Sequence, residues 1–384
     1  MLDYWRSNNP IKSTADDART FSLHVLSSAG FGKSYQFQGF NDICPTQVAT
    51  TYKESLQAIL DNCILLMVLG TKFLSIKWLP SKLRKLHQAT VNFKQYMIEV
   101  YEKEKEAISD GKSTDRNLMT SLIRASLQSN DGLDPNTDGL TESEIYGNIF
   151  VFNFAGHDTT AHTLAIAIVL LAAKPAVQVW IYEELQEVFG DRQPSDWNYI
   201  ADFPRLKRCL AVLLETLRLY TPVPIAKSTG MEPQTLKVGD KSIVVPRNTL
   251  VIPNHIAVHT HPRYWGDDSL EWRPSRWINK ESTNNSNSMI DDETVIVPLK
   301  GSFIAWSEGA RVCPGKKFSQ VEFVAAMAGI FRNGRVEPLL IRGDENMDGA
   351  RERVMNLVES DTGQVLLLQM LHPERAPLVW EKRA

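Results

Sequence analysis

Cys313 sits in Trp306-Ser307-Glu308-Gly309-Ala310-Arg311-Val312-Cys313-Pro314-Gly315, and it is one of four widely spaced cysteines in 384 residues. Gly309 and Gly315 allow backbone conformations closed to other residues and a close approach to something flat. Pro314 fits the first turn of a helix running through about Phe331, where its missing N–H is not needed. A helix end behind the sulfur favours a thiolate, and a rigidly held thiolate with bare backbone around it suits an iron ligand. The competing reading is a free cysteine that packs as a small hydrophobe. A phosphatase-type nucleophile is disfavoured, because no arginine follows at the spacing that chemistry needs.

Two further constellations carry chemistry. Ala155-Gly156-His157-Asp158-Thr159-Thr160 puts a glycine, an acid and two threonines inside an otherwise apolar helical stretch, although all are poor helix formers. Ala155 and Thr159 are four apart and share a face, so the Thr159 hydroxyl can bond the Ala155 carbonyl and open a small polar groove. The alternative is a cap where two shorter helices meet. Glu215 and Arg218 stand at i, i+3 in Val212-Leu213-Leu214-Glu215-Thr216-Leu217-Arg218, flanked by apolar residues on nearly every side. A buried pair needs more partners, and Arg276 in Glu271-Trp272-Arg273-Pro274-Ser275-Arg276-Trp277 is available.

Together these segments resemble the cytochrome P-450 family. Trp306, Gly309, Arg311, Cys313 and Gly315 fill its haem-binding loop pattern, with Trp306 where Phe is usual. The resemblance implies that Cys313 is the proximal ligand of a haem b iron and that Arg311 binds a haem propionate. It implies that Thr159 donates a hydrogen bond to dioxygen, that Asp158 delivers protons through water, and that Ala155 and Gly156 keep the groove shallow. Glu215, Arg218 and Arg276 would form the family's structural triad, with Ser275, Trp272 and Trp277 as mild departures. Lys227 falls near a propionate-binding position, and His259 fits either a propionate or a packing contact.

The elements that must position these groups follow from the hydrophobic pattern. Apolar periodicity places helices near 14–27, 46–68, 81–108, 116–128, 141–173, 175–189 and 203–220, with Thr141 and Glu144 as a capping box. From 225 short β-rich pieces take over, at Ile225–Thr229, Gln234–Val238, Ser242–Val245 and Leu250–Pro253. An irregular stretch at 277–301 precedes the cysteine loop, and strands are expected at Arg335–Ile341 and Val365–Met370. The expected fold is mainly α with small β-sheets: a P-450 domain over 1–384, helix-rich to 220 and mixed β, meander and haem-binding loop from 221.

Hydrophobic content of 43%, charged content of 23% and a net charge of −3 describe an ordinary globular chain with no basic excess to suggest nucleic acid. Cys44, Cys63, Cys209 and Cys313 form no C-x-x-C pair, which argues against a zinc site and for a reducing compartment. Gly30-Phe31-Gly32-Lys33-Ser34 ends like a phosphate loop, but Ser27 occupies the place of its first glycine and a helix precedes it, leaving nucleotide binding a remote alternative. By comparison with the family's order, Met1 falls after the third major helix, so an N-terminally truncated chain that holds haem weakly is expected.

The implied reaction inserts one oxygen atom from O2 into a small, hydrophobic organic substrate, with electrons from NADPH through a flavoprotein reductase. The flavour is that of fungal secondary metabolism. A basic face of Lys207, Arg208, Arg311, Lys316 and Lys317 is expected to meet the reductase. The apolar region 63–80 is expected to touch a membrane peripherally. Full-length relatives lie on the cytosolic face of the endoplasmic reticulum; with no anchor or signal peptide in this sequence, a cytoplasmic or peripheral location is expected. A haem–thiolate isomerase or dehydratase and a catalytically silent chain stay open as alternatives.

Overall fold

The computed structural model describes residues 1–37, 54–59, 61–111, 117–130, 139–280 and 290–383. In chain order its helices are α1 (Leu2–Ser7), α2 (Thr14–Phe31), α3 (Cys63–Leu74), α4 (Ser81–Ser109), α5 (Leu118–Asn130), α6 (Glu142–Gly156), α7 (Asp158–Ala173), α8 (Pro175–Phe189), α9 (Lys207–Leu219), α10 (His255–Thr260), α11 (Lys316–Phe331) and α12 (Met347–Ser360). Between them lie short strands: β1 (Lys227–Ser228), β2 (Gln234–Val238), β3 (Lys241–Val245), β4 (Leu250–Val251), β5 (Ile278–Lys280), β6 (Glu293–Val295), β7 (Gly334–Pro338), β8 (Thr362–Gln364), β9 (Leu368–Met370) and β10 (Leu378–Lys382). All pair antiparallel and in twos: β1 with β4, β2 with β3, β5 with β6, β7 with β10 and β8 with β9. The chain divides into two compact units, Arg19–Asp158 with Met1, and Leu2–Ala18 with Thr159 onward. That boundary lies at 158, well before the change in sequence texture near 220.

The first unit is helical. Along α4 the buried positions Leu86, Ala89, Phe93, Met97 and Val100 recur every three or four residues and make one apolar stripe, which Tyr96 and Tyr101 widen. Phe93, Tyr96, Met97 and Val100 pack with Leu23 and Phe31 of α2, Met119 and Ile123 of α5, and Ile145 and Ile149 of α6. The α6 N-terminus carries the capping box: Thr141 Oγ1 accepts the Glu144 N–H at 3.3 Å, and Glu144 Oε2 accepts the Thr141 N–H at 2.8 Å. Just past the end of α2 at Phe31, the Lys33 ammonium lies 4.5 Å from the Tyr96 ring centroid, a packing contact.

In the second unit α7 is apolar around its whole circumference from Leu164 to Ala173, all of which are buried. The stretch Glu142–Ala173 is long and apolar enough to cross a membrane, but 78% of its most apolar window is buried, as in a core helix. Pro175 opens α8 at a position that needs no N–H. Buried Gln178 then ties α8 to β7: its Nε2 donates to the Leu171 and Val336 carbonyls, each at 2.8 Å, and its Oε1 accepts the Val336 N–H at 3.1 Å. At the chain's start Trp5 stacks on Trp380 of β10, with centroids 4.6 Å apart, and its indole N–H donates to Asp17 at 2.7 Å.

Several expectations change. The helix expected over 141–173 runs from Glu142 to Ala173 with one interruption, a turn at His157 between α6 and α7, where the backbone stays in the right-handed helical region at φ −103°, ψ −44°. The 277–301 stretch is not wholly irregular, since β5 and β6 pair Ile278 with Val295 and Lys280 with Glu293. The asparagine-rich part of it, Cys44 and the early part of the 46–68 helix lie outside the described residues. Of the four strands expected between 225 and 253, β2 spans the expected residues and β3 begins one residue earlier, whereas β1 and β4 are cut to Lys227–Ser228 and Leu250–Val251.

Candidate functional site

The helix that carries the triad is capped from outside. Leu206, at the N-cap of α9, offers no side-chain acceptor. Glu184 of α8 supplies both: its Oε1 accepts the Arg208 N–H at 2.5 Å and its Oε2 the Cys209 N–H at 3.0 Å. Glu184 is fully buried, and that burial pushes its carboxyl up to about 7 despite the two amides. Arg208 is buried too, held by Glu293 at 2.9 Å and Glu183 at 2.8 Å. It therefore cannot belong to a basic surface, contrary to the expectation from sequence.

Further along α9, the Glu215 carboxylate accepts five donors. These are Arg218 Nε at 2.8 Å and Nη2 at 2.9 Å, Arg276 Nε at 2.8 Å, the Trp277 indole at 2.9 Å and the Arg273 amide at 2.8 Å. Arg218 also donates to the carbonyls of His259 at 2.7 Å and Glu271 at 3.1 Å. Arg276 reaches the Trp265 carbonyl at 2.9 Å and Asp268 Oδ1 at 3.1 Å. Both guanidiniums beside it, Arg273 and Arg276, hold the Asp268 carboxyl down to about 2. Every charge here is matched, which is what burial demands; removing one partner of such a cluster costs about 3–5 kcal/mol.

The cluster reaches the cysteine loop through His259. Its Nδ1 lies 3.1 Å from the Arg218 carbonyl, and its Nε2 accepts the Ile304 N–H at 2.9 Å. That donor fixes the tautomer with the proton on Nδ1. His259 is buried, and burial, with His255 and Arg218 nearby, pulls its imidazole down to about 4. Of the two roles left open for His259, the structure gives it the packing contact.

Beyond Ile304 the loop folds on itself. The Cys313 N–H donates to the Trp306 carbonyl at 2.9 Å, and the Val312 N–H to Gly309 at 3.0 Å. Ser307 and Gly309 have left-handed φ of 64° and 77°, and Gly309 is the position where glycine removes that strain. Gly315 is different. Its φ is −83°, so it is not there for a left-handed turn. A Cβ at Gly315 would lie 3.8 Å from Cys313 Sγ, so its absence leaves one flank of the sulfur bare. The helix α11 starts at Lys316, which places Pro314 in the turn before it rather than in its first turn.

Cys313 is exposed, as is Arg311 two residues away, whose guanidinium makes no ion pair among the described residues. Lys227 of β1, expected near a propionate, is engaged by the loop instead: its Nζ donates to Ser307 Oγ at 2.6 Å and to the Glu308 carbonyl at 2.9 Å. Trp306 is half-buried, and its indole N–H donates to Ser319 Oγ on α11 at 3.1 Å. Ser319 and Glu184 escaped the sequence reading. A lone serine and a glutamate inside helices carry no local signal, because only packing makes them a clasp and a cap.

The Asp158 group belongs to the first unit and Thr159 to the second. Asp158 is buried; its Oδ1 accepts Arg19 Nε at 3.0 Å and lies 3.4 Å from His157 Nε2. His157 Nδ1 stands 2.8 Å from the Asn153 carbonyl, and burial lowers the tendency of this imidazole to protonate. Gly156 meets α2 closely: a Cβ there would lie 3.2 Å from a Leu26 methyl. Ala155 is exposed. Thr159 presents its carbonyl to the Thr163 hydroxyl at 2.8 Å.

Comparison with known proteins adds one consistent set of findings. Residues 1–362 match the family profile described as cytochrome P450. The chain is similar to cytochrome P450 monooxygenase 124 of Postia placenta, 29% identical over 99% of this chain and 68% of that protein. It is also similar to the phomenoic acid biosynthesis cluster cytochrome P450 monooxygenase of Leptosphaeria maculans, 28% identical over 92% of this chain and 63% of that one. In fold it is similar to a cytochrome P450 haem domain, with a TM-score of 0.66, 20% identity, all of this chain covered and 71% of the other. The chain thus spans about two thirds of the length of these fungal relatives.

Proposed function

The chain belongs to the cytochrome P450 family, a family of haem–thiolate enzymes, and we propose that its protein is a monooxygenase inserting one oxygen atom from O2 into a small organic substrate. The observation that carries this reading is Cys313: an exposed sulfur, bare on its Gly315 flank, on a loop that buried groups hold from behind. Those residues fit a haem. When bound, haem supplies the redox chemistry of oxygen activation, and a thiolate ligand favours O–O cleavage.

The chain's own residues do the positioning and the proton handling. Cys313 would hold the iron, and Arg311, free of protein partners among the described residues, would offer its charge to a propionate. Glu215, Arg218 and Arg276 fix the polypeptide behind the loop, and His259 passes that rigidity to Ile304 by hydrogen bonds rather than by chemistry. Asp158, paired with Arg19 at 3.0 Å, would deliver protons through water, and the Thr159 hydroxyl would donate a hydrogen bond to dioxygen. Ala155 and Gly156 contribute no side-chain bulk beside them. Electrons come from NADPH through a flavoprotein reductase docking on exposed Arg311, Lys316 and Lys317. The relative named for a biosynthesis cluster supports a secondary-metabolite substrate.

The test is a reduced carbon-monoxide difference spectrum of the haem-reconstituted chain beside Cys313→Ser. A red-shifted, thiolate-type Soret band in the parent and none in the variant is expected. The same spectrum from both would overturn the assignment.

A further inference from the structure

The cysteine loop is closed onto the helix behind it by a directed chain of hydrogen bonds. The Trp306 indole N–H, which can only donate, gives to Ser319 Oγ at 3.1 Å, and the Ser319 hydroxyl gives its single proton to the Lys316 carbonyl at 3.0 Å. The backbone of the same tryptophan accepts the Cys313 N–H at 2.9 Å, and the Cys313 carbonyl accepts the Lys316 N–H at 3.3 Å. One residue thus grips the cysteine with its main chain and the helix that follows it with its side chain. The ring is backed by Phe303, edge-on at 6.0 Å, and by the Lys316 ammonium at 5.5 Å.

From this geometry we propose that Trp306 and Ser319 are a positioning pair for Cys313. Their hydrogen bond fixes the loop, and with it the sulfur, relative to the start of α11. It also directs the indole proton to a hydroxyl, so the sulfur receives no hydrogen bond from that ring. A phenylalanine at 306 would keep the packing but lose the clasp. The inference deepens the haem–thiolate reading and rests on it for its consequence, but the clasp itself is a property of the polypeptide.

The test therefore has two readouts. In the haem-free chain, hydrogen exchange of the Cys313 amide and the alkylation rate of its thiol, located by peptide mass mapping, report loop position without any cofactor. Trp306→Phe and Ser319→Ala should each raise both rates roughly fivefold, the scale of one net hydrogen bond. The double variant should be no faster than either single one, because the two groups form one interaction. Ser319→Thr, which keeps the hydroxyl, should restore the parent rates. Unchanged rates in the single variants, or additive effects in the double, would overturn the clasp; circular dichroism verifies that each variant is folded. In the haem-loaded chain the same two single variants should lose part of the thiolate-type Soret band that Ser319→Thr keeps. If the parent lacks that band, the haem–thiolate reading fails while the exchange data still decide the clasp.

Discussion

Two buried titratable residues, Glu184 and His259, hold the cysteine side of the structure together and make opposite demands on pH. Glu184 has its folded pKa raised from 4.5 to about 7, so the folded state binds its proton more tightly than the unfolded chain. Its contribution is fully present below about pH 4.5 and falls as pH rises to about 7, by at most about 1.4 kcal/mol per pH unit. His259 is lowered from 6.5 to about 4. Its contribution is present above about pH 6.5 and is lost as pH falls through about 4. Urea unfolding of Glu184→Gln and His259→Gln between pH 4 and 8 should separate the two. The parent's stability relative to Glu184→Gln is expected to decline across 4.5–7, and relative to His259→Gln to climb across 4–6.5. Flat differences would show that neither side chain is the buried group seen here.

At the scale of elements, α3 and the turn after it present an apolar surface. Ile64, Val68, Phe73 and Trp78 are exposed, Trp78 by 82%, and Gly70 with φ of 71° divides the helix. This supports the proposal that 63–80 contacts a membrane peripherally, with Lys72 and Lys77 at its polar fringe. Burying an indole in lipid is worth about 1.5–3 kcal/mol, so Trp78→Asp should weaken binding to anionic vesicles about tenfold or more. Co-sedimentation would measure it, and equal binding by both chains would remove α3 from the contact. The long helices on which this surface rests were legible from sequence because one apolar stripe repeats along them, as in α4. The strands were less so: β10 is fixed by a partner distant in the chain, as when Val379 pairs with Glu337, and β5 and β6 by each other within a stretch that reads as irregular.

For the whole molecule, haem binding and folding are linked. A ligand that binds only the folded chain raises its stability with concentration. Haem titration should therefore raise the melting temperature of the parent by several degrees and that of Cys313→Ser by clearly less. Calorimetry measures both. Equal shifts would mean that haem is held by surfaces other than the proposed ligand. The chain's coverage of about two thirds of its fungal relatives makes this measurement the direct way to learn how firmly it holds the cofactor.

By itself the sequence determined the family, and it put forward the residues proposed to carry the chemistry. The order of residues around Cys313, Asp158-Thr159, Glu215-Arg218 and Arg276 is a local pattern, and local patterns survive without coordinates. Only the tertiary structure decided how those residues are held. It buried Arg208 against Glu293, turned Lys227 toward Ser307, and gave His259 to Ile304 and Trp306 to Ser319. Each of these is a hydrogen bond between segments distant in sequence or on different faces of the loop. Such bonds depend on burial and packing, which residue types alone do not specify.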